Sequence, residues 1–397
     1  MENRLPELRF PEFSGEWNKV LLDDFAKRGS GHTPSKSHPE YYNGEINWIS
    51  LSDSKKLDNG FIEETNTKIT PLGIKNSSAV LHEAGSVLLS RDAGVGKSAV
   101  MKHSMAVSQH FIVWTAKSGI SSNWFLYNIL QILKPEFERI AIGNTIKTIG
   151  LPYFKKLQIT VPSFPEQDKI ANFLTEVDKK LTALKQKKSL LEQYKKGVMQ
   201  QIFSQELRFK NDNGNDFADW EEKKLGEVAD IIMGQSPDSN SYNSNGIGLP
   251  LIQGNADIEN RKTNPRNHTS QVTKKCDIGD LILTVRAPVG AVAKSIHDAC
   301  IGRGVCSIKN KLNSNIEFIF QFLLDYEVKW GSLEQGSTFT AVSGIEIKKI
   351  KINLPSFQEQ TKIANFLWAI DEKIKDCQEQ IEKTELWKKG LLQQLFV

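Results

Sequence analysis

The chain has 397 residues, with a hydrophobic content of 39%, a charged content of 25% and a formal net charge of +4. This length allows two or three domains, and the composition is typical of a globular protein rather than a disordered one. No apolar run could span a bilayer, and residues 1–13 lack a signal-peptide pattern, so we expect a cytoplasmic protein with no membrane partner. The weak positive charge neither establishes nor excludes nucleic-acid binding.

The chain divides into two halves that begin in the same way. Residues 7–17 read ELRFPEFSGEW, and residues 206–220 read ELRFKNDNGNDFADW. The shared ELRF tetrad and the following tryptophan mark equivalent starts. The Asn, Asp and Gly residues of 210–219 predict a loop or linker there.

A polar loop and a short strand come next in each half. The loops, 28–53 and 233–257, are dominated by Gly, Ser, Pro and Asn, which are typical turn residues. Each loop ends in a short strand, predicted at Ile46–Leu51 and at Leu249–Gln253.

Each half then continues with the same three elements. They are a hairpin-like unit with a glycine turn, a largely buried helix, and a strand that follows a turn. We predict them in half one at 84–100, 123–133 and 143–162, and in half two at 278–294, 317–326 and 336–355.

The two halves are most similar in residues 161–204 and 354–397. These stretches align without a gap, and 20 of their 44 positions are identical. A repeat at this distance indicates a duplicated structural unit, so each half is closed by the same element.

A helix start is predicted at the head of each repeated stretch. Ser163 precedes Glu166 by three residues, and Ser356 precedes Glu359 by three. This is the capping-box pattern, in which the glutamate reaches back to the amide of the capping serine. Pro165 lies in the first turn, where a missing N–H costs little.

A 4-3 apolar seam follows the cap in both copies, with a shared polar interruption at Lys195 and Lys388. Such a seam argues for a coiled coil, because a helix of about 38 residues rises ~57 Å and exceeds a small domain. The other copy is the simplest partner, antiparallel if the halves are related by a pseudo-twofold axis. Two independent amphipathic helices are the alternative. The seam residues are Ile170, Leu174, Val177, Leu181, Leu184 and Leu191, with Ile363, Leu367, Ile370, Ile374, Cys377, Ile381 and Leu391.

Motifs for catalysis or cofactor binding are weak in this sequence. Gly94–Ser98 resembles the end of a phosphate-binding loop, but the full motif needs glycine where this chain has Arg91. The equivalent turn, residues 287–291, has no lysine, so a tight turn between strands is favoured. The four cysteines form no CxxC pair: Cys276, Cys300, Cys306 and Cys377. We therefore expect no catalytic, cofactor or metal site.

Polar loop residues are candidates for DNA contact instead. Hydroxyl and amide groups can bond phosphates and base edges, and Arg or Lys can contact phosphate or guanine. For any one of them, ordinary solvated loop chemistry is the alternative. The candidates are Ser30, His32, Thr33, Ser35, Lys36, Arg91 and Lys97 in half one, and Gln235, Ser236, Asn240, Asn243, Arg286 and Arg303 in half two.

Several motifs are shared with a known family. The most specific is PSFPEQDKIANFL with its repeat PSFQEQTKIANFL; weaker ones are TPS at 33–35, YYNGEINWISLSD at 41–53, GQSP at 234–237, RAPVGAVA at 286–293 and IGRGVCSI at 301–308. By these motifs the chain resembles the specificity subunit of Type I restriction–modification systems. One departure is RDAGVGK in half one where half two has RAPVGAVA, so this loop is expected to act differently in the two halves.

The resemblance implies an α+β fold with two mixed α/β target-recognition domains, separated by two long helices that form an antiparallel coiled coil within a pseudo-twofold repeat. The expected segments are target-recognition domain 1 (1–160), long helix 1 (161–204), target-recognition domain 2 (205–353) and long helix 2 (354–397).

The resemblance also implies a non-catalytic DNA-recognition subunit. Each domain would read one half of a bipartite asymmetric site, while the helices set the gap and dock methyltransferase subunits, two of them. S-adenosylmethionine, ATP and Mg would then belong to partner chains, which are the methyltransferase and the restriction endonuclease/translocase subunits. The alternative is a coiled-coil scaffold that joins two protein-binding domains and has no role with double-stranded DNA.

Overall fold

The chain forms two compact units. Unit 1 comprises Met1–Lys185 with Glu379–Val397, and unit 2 comprises Gln186–Gln378. The computed structural model describes residues 5–143, 147–334 and 341–397, with the backbone alone for 331–334. Two predicted turns therefore lie partly outside the described residues, at 144–146 and 335–340.

Unit 1 consists of short strands followed by helices. Its strands are β1 (Asn18–Leu21), β2 (Ala26–Ser30), β3 (Tyr42–Ile49), β4 (Phe61–Ile62), β5 (Thr67–Ile69), β6 (Leu81–His82), β7 (Val87–Ser90), β8 (Ser98–Met101), β9 (Met105–Val107), β10 (Phe111–Ala116) and β11 (Gln158–Val161). Its helices are α1 (Leu22–Phe25), α2 (Pro71–Lys75), α3 (Asn123–Ile140), α4 (Leu151–Lys156) and the first part of α5 (Phe164–Phe203).

The strands of unit 1 form two mixed sheets and a two-stranded ribbon. The sheet orders are β2-β10-β7-β8-β4 and β5-β3-β9-β6, and β1 pairs with β11. β7 and β8 pair antiparallel around a turn in which Gly94 and Gly96 have φ of +90° and +84°. Glycine adopts this left-handed region without a steric penalty. The predicted hairpin with a tight turn is confirmed.

The predicted strand Ile46–Leu51 differs from the structure at both ends. β3 begins earlier, at Tyr42, and stops at Ile49. The chain turns there because the Asp53 carboxylate accepts from the Ser50 amide at 3.1 Å, which caps a 3-10 turn.

Unit 2 has the same general plan, with 13 strands in place of 11 and no counterpart of α2 among its described residues. Its strands are β12 (Glu221–Lys224), β13 (Ala229–Met233), β14 (Tyr242–Asn243), β15 (Leu249–Ile252), β16 (Ile258–Glu259), β17 (Lys262–Thr263), β18 (Asn267–Thr269), β19 (Lys275–Cys276), β20 (Leu281–Thr284), β21 (Val292–Lys294), β22 (Ala299–Ile301), β23 (Val305–Asn310) and β24 (Lys351–Leu354). Its helices are α6 (Leu225–Val228), α7 (Ile316–Glu334), α8 (Gly344–Lys348) and the first part of α9 (Phe357–Gln394). The sheet orders are β13-β23-β20-β21-β17-β16 and β14-β18-β15-β22-β19, and β12 pairs with β24.

Both long helices contribute to both units. In unit 1, Ile170 and Leu174 of α5 share a core with Leu391 and Leu395 of α9. In unit 2, the end of α5 shares a core with the start of α9 through residues Val198, Ile202, Ile363 and Leu367. Within each unit, therefore, the start of one long helix lies against the end of the other, so the helices run antiparallel.

The two compact units divide within the long helices rather than between the expected segments. The division falls after Lys185 in α5 and after Gln378 in α9. These positions are equivalent in the repeat, since 378 − 185 = 193 and 354 − 161 = 193. Each long helix belongs half to one hydrophobic core and half to the other, because its apolar seam is covered by different partners along its length.

The predicted seam residues lie on the inner faces of the helices. The buried ones are Ile170, Leu174, Val177, Leu181, Ile363, Leu367, Ile370, Cys377, Ile381 and Leu391, and the half-buried ones are Leu184, Leu191 and Ile374. Burying a side chain of this size stabilises a fold by about 1.5–3 kcal/mol.

The polar interruptions of the seam form ion pairs. In unit 2, Lys195 Nζ lies 2.7 and 2.8 Å from the two carboxylate oxygens of Asp371. In unit 1, Lys388 Nζ lies 2.5 Å from Asp178 Oδ1. The two pairs are equivalent in the repeat, and each joins residues whose numbers sum to 566. Burial lowers the pKa of Lys195, and the Asp371 carboxylate partly offsets this shift.

The predicted capping boxes need correction. The serine half of the second box is present, since the Ser356 hydroxyl accepts from the Glu359 amide at 3.4 Å. The carboxylates of Glu166 and Glu359, however, bind the arginines of the two ELRF segments and not the capping amides. Arg9 donates to Glu166 at 2.7 and 2.8 Å, and Arg208 donates to Glu359 at 3.2 and 2.9 Å. A guanidinium outcompetes a cap amide because its two parallel hydrogen bonds to a carboxylate are charge-assisted.

The four cysteines are free thiols in buried positions. Burial raises the pKa of Cys276, and it raises the pKa of Cys306 to about 12. Thiols in such surroundings remain protonated near neutral pH and are inert.

Candidate nucleic-acid interface

Four loops of unit 2 surround a cleft of about 600 Å³. They follow β13, β15, β20 and β22, so the cleft lies at the ends of strands from both sheets of the unit. It is lined by Ser236, Pro237, Ser239, Tyr242, Gln253, Gly254, Asn255, Arg286, Ala287, Arg303 and Gly304. Three of the sequence-predicted contacts are thus brought together: Ser236, Arg286 and Arg303.

Arg303 lies at the tip of the turn between β22 and β23. Its backbone N–H donates to Ser236 Oγ at 3.2 Å. A Cβ added at Gly304 would lie 2.0 Å from the carbonyl oxygen of Gln253, so this position requires glycine. The backbone is therefore tightly held, while the arginine side chain is exposed.

Arg286 lies in the turn between β20 and β21. Thr284 holds this turn, since its hydroxyl donates to the Pro288 carbonyl at 2.8 Å and accepts from the Ala291 amide at 2.9 Å. Within the described part of the chain, neither Arg286 nor Arg303 has a side-chain hydrogen bond or ion pair. As far as the described residues extend, no protein group competes with a ligand for either guanidinium.

The other candidates of unit 2 lie outside the cleft lining. Gln235 and Asn240 are exposed. The side chain of Asn243 is bonded within its own loop. Its amide oxygen accepts from the Ile247 amide at 2.9 Å, and its amide nitrogen donates to the Ile247 carbonyl at 2.9 Å. Its side chain shapes the loop between β14 and β15.

Sequence reasoning missed several residues of the cleft. Gln253 Nε2 donates to the Tyr242 hydroxyl at 2.8 Å, and both line the cleft with Asn255. Tyr242 has a counterpart in Tyr42, since the two hydroxyls donate to the equivalent carbonyls of Pro237 and Pro34. Comparing the two polar loops residue by residue could have found this pair.

Unit 1 has the same backbone arrangement at the equivalent loops. The Arg91 amide donates to the His110 carbonyl, as the Val285 amide donates to the Gly304 carbonyl, at 3.0 and 2.9 Å. Arg91 therefore matches Val285. One residue further, Asp92 matches Arg286, and one residue before His110, Gln109 matches Arg303.

The matching side chains of unit 1 bond to one another. The Thr33 hydroxyl donates to Gln109 Oε1, and Gln109 Nε2 lies 3.4 Å from His110 Nε2. His110 Nδ1 lies 2.7 Å from Asp92 Oδ2, and Asp92 Oδ1 accepts from the Thr148 hydroxyl. Of the residues in this network, only Thr33 was a candidate contact from the sequence. Its bonding partners could not be predicted, because they are distant from it in the chain.

The remaining loop candidates of unit 1 lie on the same polar loop. Ser30 ends β2 and is exposed, as are His32 and Lys36. The hydroxyl of Ser35 lies 2.7 Å from that of Ser37. These side chains remain candidates for DNA contact.

Arg91 and Lys97 face different surroundings from the two cleft arginines. Lys97 Nζ donates to Asp58 Oδ2 at 2.8 Å and to the Ser54 carbonyl at 3.3 Å. Arg91 Nε lies 3.9 Å from the Asp92 carboxylate. Both charges are thus next to carboxylates, which weakens their attraction for an anion.

No cluster of three or more His, Cys, Asp or Glu side chains suited to a metal ion occurs in the described ranges. Nor does any helix within them have the length and apolar character to cross a membrane.

The fold and the loops define a class of protein: two mixed α/β recognition units on a repeated frame, closed by a pair of long helices. Residues 14–193 and 218–385 match the family model of the type I restriction modification DNA specificity domain, which covers most of the chain. The chain belongs to this family of specificity subunits, and its two units contain the DNA target-recognition domains.

Individual relatives agree with this assignment. The chain is 36% identical over 311 residues to the putative type I restriction enzyme MjaX specificity subunit of Methanocaldococcus jannaschii, covering 76% of this chain and 72% of the relative. It is 24% identical to the MjaVIII specificity subunit of the same organism, covering 98% and 93%. The crystal structure of a type I restriction–modification S subunit from M. genitalium has the same fold, with a TM-score of 0.65, 15% identity and 99% coverage of both chains.

Proposed function

We propose that each unit reads one half of a bipartite, asymmetric DNA site. The observation that carries this proposal is the pairing of one backbone frame with two different sets of loop side chains. Unit 2 has Arg286 and Arg303 where unit 1 has Asp92 and Gln109. Side chains with different hydrogen-bonding groups select different bases, so a repeated frame with unlike loops suits an asymmetric split site.

The paired long helices set the gap between the half-sites. α5 has 40 residues and α9 has 38. At ~1.5 Å per residue they rise ~60 and ~57 Å, which is an upper limit of roughly 17 base pairs. The gap itself is shorter, because the reading heads occupy part of this length.

The helices also dock partner subunits. Large apolar side chains are exposed on them: Leu190 (65%), Tyr194 (53%), Trp368 (51%) and Leu386 (72%). A docked subunit would cover these apolar groups and remove them from water. The duplication of the helix favours two methyltransferase subunits, joined in the full complex by restriction endonuclease/translocase subunits.

The chemistry belongs to those partners. S-adenosylmethionine, ATP and Mg bind the partner chains, and this chain is non-catalytic. Equilibrium dialysis of the isolated chain should therefore detect no tight S-adenosylmethionine site.

The decisive experiment is methylation mapping of the DNA of a host that expresses this chain with a compatible methyltransferase subunit. We expect a split motif with a fixed gap and one modified adenine in each half. A stable complex that produces no chain-dependent methylation would favour the alternative, a scaffold that joins two protein-binding domains.

A further inference from the structure

We propose that unit 2 recognises guanine through Arg303, assisted by Arg286, and that unit 1 lacks this mode of recognition at the equivalent positions. The inference rests on the proposed reading of DNA by the two units. It names specificity-determining residues and the base that they select.

The charge of the cleft supports an acceptor-rich ligand. Two arginines line it, and no Asp or Glu is among its described lining residues. Like charges that share a cleft without a counter-charge favour an anionic or acceptor-rich ligand. The remaining polar groups, from Ser236, Gln253 and Asn255, can both donate and accept.

The chemistry of arginine narrows the choice of base. Its planar guanidinium presents parallel donors that match the O6 and N7 acceptors on the major-groove edge of guanine, and this is the commonest specific contact to a base. A phosphate would also accept from arginine, so geometry must distinguish the two.

The geometry of Arg303 favours a base contact. Its turn is fixed by the Ser236 hydrogen bond and by the tight packing of Gly304 against Gln253. The backbone that carries the arginine is therefore rigid, and only the side chain has to become ordered when DNA binds. Such preorganisation gives positional precision, which discrimination between bases requires.

Unit 1 provides the contrast. Asp92, at the position of Arg286, is engaged with His110 and Thr148. Gln109, at the position of Arg303, bonds through its amide to Thr33 and His110. The donor and acceptor of an amide match adenine rather than guanine. Guanine recognition by this pair of positions is therefore confined to the half-site read by unit 2.

The test uses the full chain assembled with its methyltransferase subunit and duplexes that carry the mapped site. Each guanine is replaced in turn by 7-deazaguanine, which removes the N7 acceptor and keeps base pairing. Binding is measured by fluorescence anisotropy at fixed salt. For the wild-type complex we expect one replacement in one half-site to weaken binding on the order of tenfold.

Three variants locate the contact. Arg303→Lys keeps the positive charge but loses the paired N–H donors of the guanidinium, and Arg303→Ala loses both. Each variant should bind the natural duplex more weakly. Each should also bind the natural and the 7-deazaguanine duplexes equally well. Arg286→Ala should reduce the penalty that 7-deazaguanine causes. The matched variant Gln109→Ala in unit 1 should keep the full penalty in this half-site and relax discrimination in the other. Thermal denaturation verifies that each variant is folded.

Two outcomes would overturn the inference. One is that the half-site read by unit 2 contains no guanine on either strand. The other is that the Arg303 variants weaken binding to all duplexes equally, with the 7-deazaguanine penalty intact and a smaller salt dependence, as a phosphate contact predicts. A wild-type complex that shows no sequence preference at all would instead refute the proposed function.

Discussion

At the scale of single residues, the stability of each unit depends on a buried glutamate at the start of its long helix. Glu166 and Glu359 are 1% and 0% exposed. A carboxylate there is favoured by the helix dipole, but a buried charge needs a partner. Arg9 and Arg208 supply it, and the hydrogen bonds to these glutamates raise the pKa of both arginines.

Removing one partner should therefore destabilise a unit. We expect Arg208→Leu to lower the free energy of unfolding of unit 2 by about 2–3 kcal/mol, because Glu359 is left without a cation in a buried site. Urea denaturation followed by circular dichroism measures the effect. Lys351→Ala, which breaks an exposed pair with Glu222, is the matched control and should cost less than about 1 kcal/mol. Equal effects of the two substitutions would refute this account.

At the scale of elements, the lysine–aspartate pairs distinguish one helix register from others. Apolar seams tolerate slippage, since one leucine resembles the next. A half-buried charge does not tolerate it, because a slipped register leaves the charge unpaired. Lys195–Asp371 in unit 2 and Lys388–Asp178 in unit 1 both specify the same antiparallel register.

Charge reversal tests this role. Lys195→Asp places two carboxylates together and should destabilise unit 2 by about 3 kcal/mol. Adding Asp371→Lys should recover more than half of that loss in a denaturation experiment.

The matched control combines Lys195→Asp with Asp178→Lys, which has the same charges overall. It should be less stable than the single variant, because Asp178 pairs with Lys388 and not with Lys195. Rescue by this combination would contradict the register described here.

At the scale of the whole molecule, each long helix passes from one unit's core to the other's. The passage occurs at equivalent positions, after Lys185 and after Gln378. An insertion at both positions leaves every pairing within a unit intact. An insertion at one position lengthens one helix against an unchanged partner.

Heptad insertions in the helices should thus change the gap between the half-sites without changing the half-site sequences. Seven residues inserted after both Lys185 and Gln378 add ~10.5 Å, or about 3 base pairs. We expect methylation mapping to show a longer gap between unchanged half-sites. Either single insertion should abolish methylation. A changed half-site sequence in the double insertion would contradict the division of labour between helices and reading units.

The sequence by itself determined the duplication, the two long helices and the hairpins. These features have local signals: the 4-3 spacing of residues such as Ile170 and Leu174, glycines at turns, and a motif repeated at a fixed distance. Helix periodicity depends on residues three or four positions apart, so a short stretch of sequence is enough to predict it.

The tertiary structure alone decided which side chains meet. Arg9 binds Glu166 across 157 positions, and Arg303 meets Ser236 across 67. Asp92, at the place of Arg286, bonds to His110 and Thr148, which lie 18 and 56 positions away. Such meetings depend on how sheets and loops pack, and the free energy of packing is a property of the folded chain as a whole, without a pattern in any short stretch of sequence.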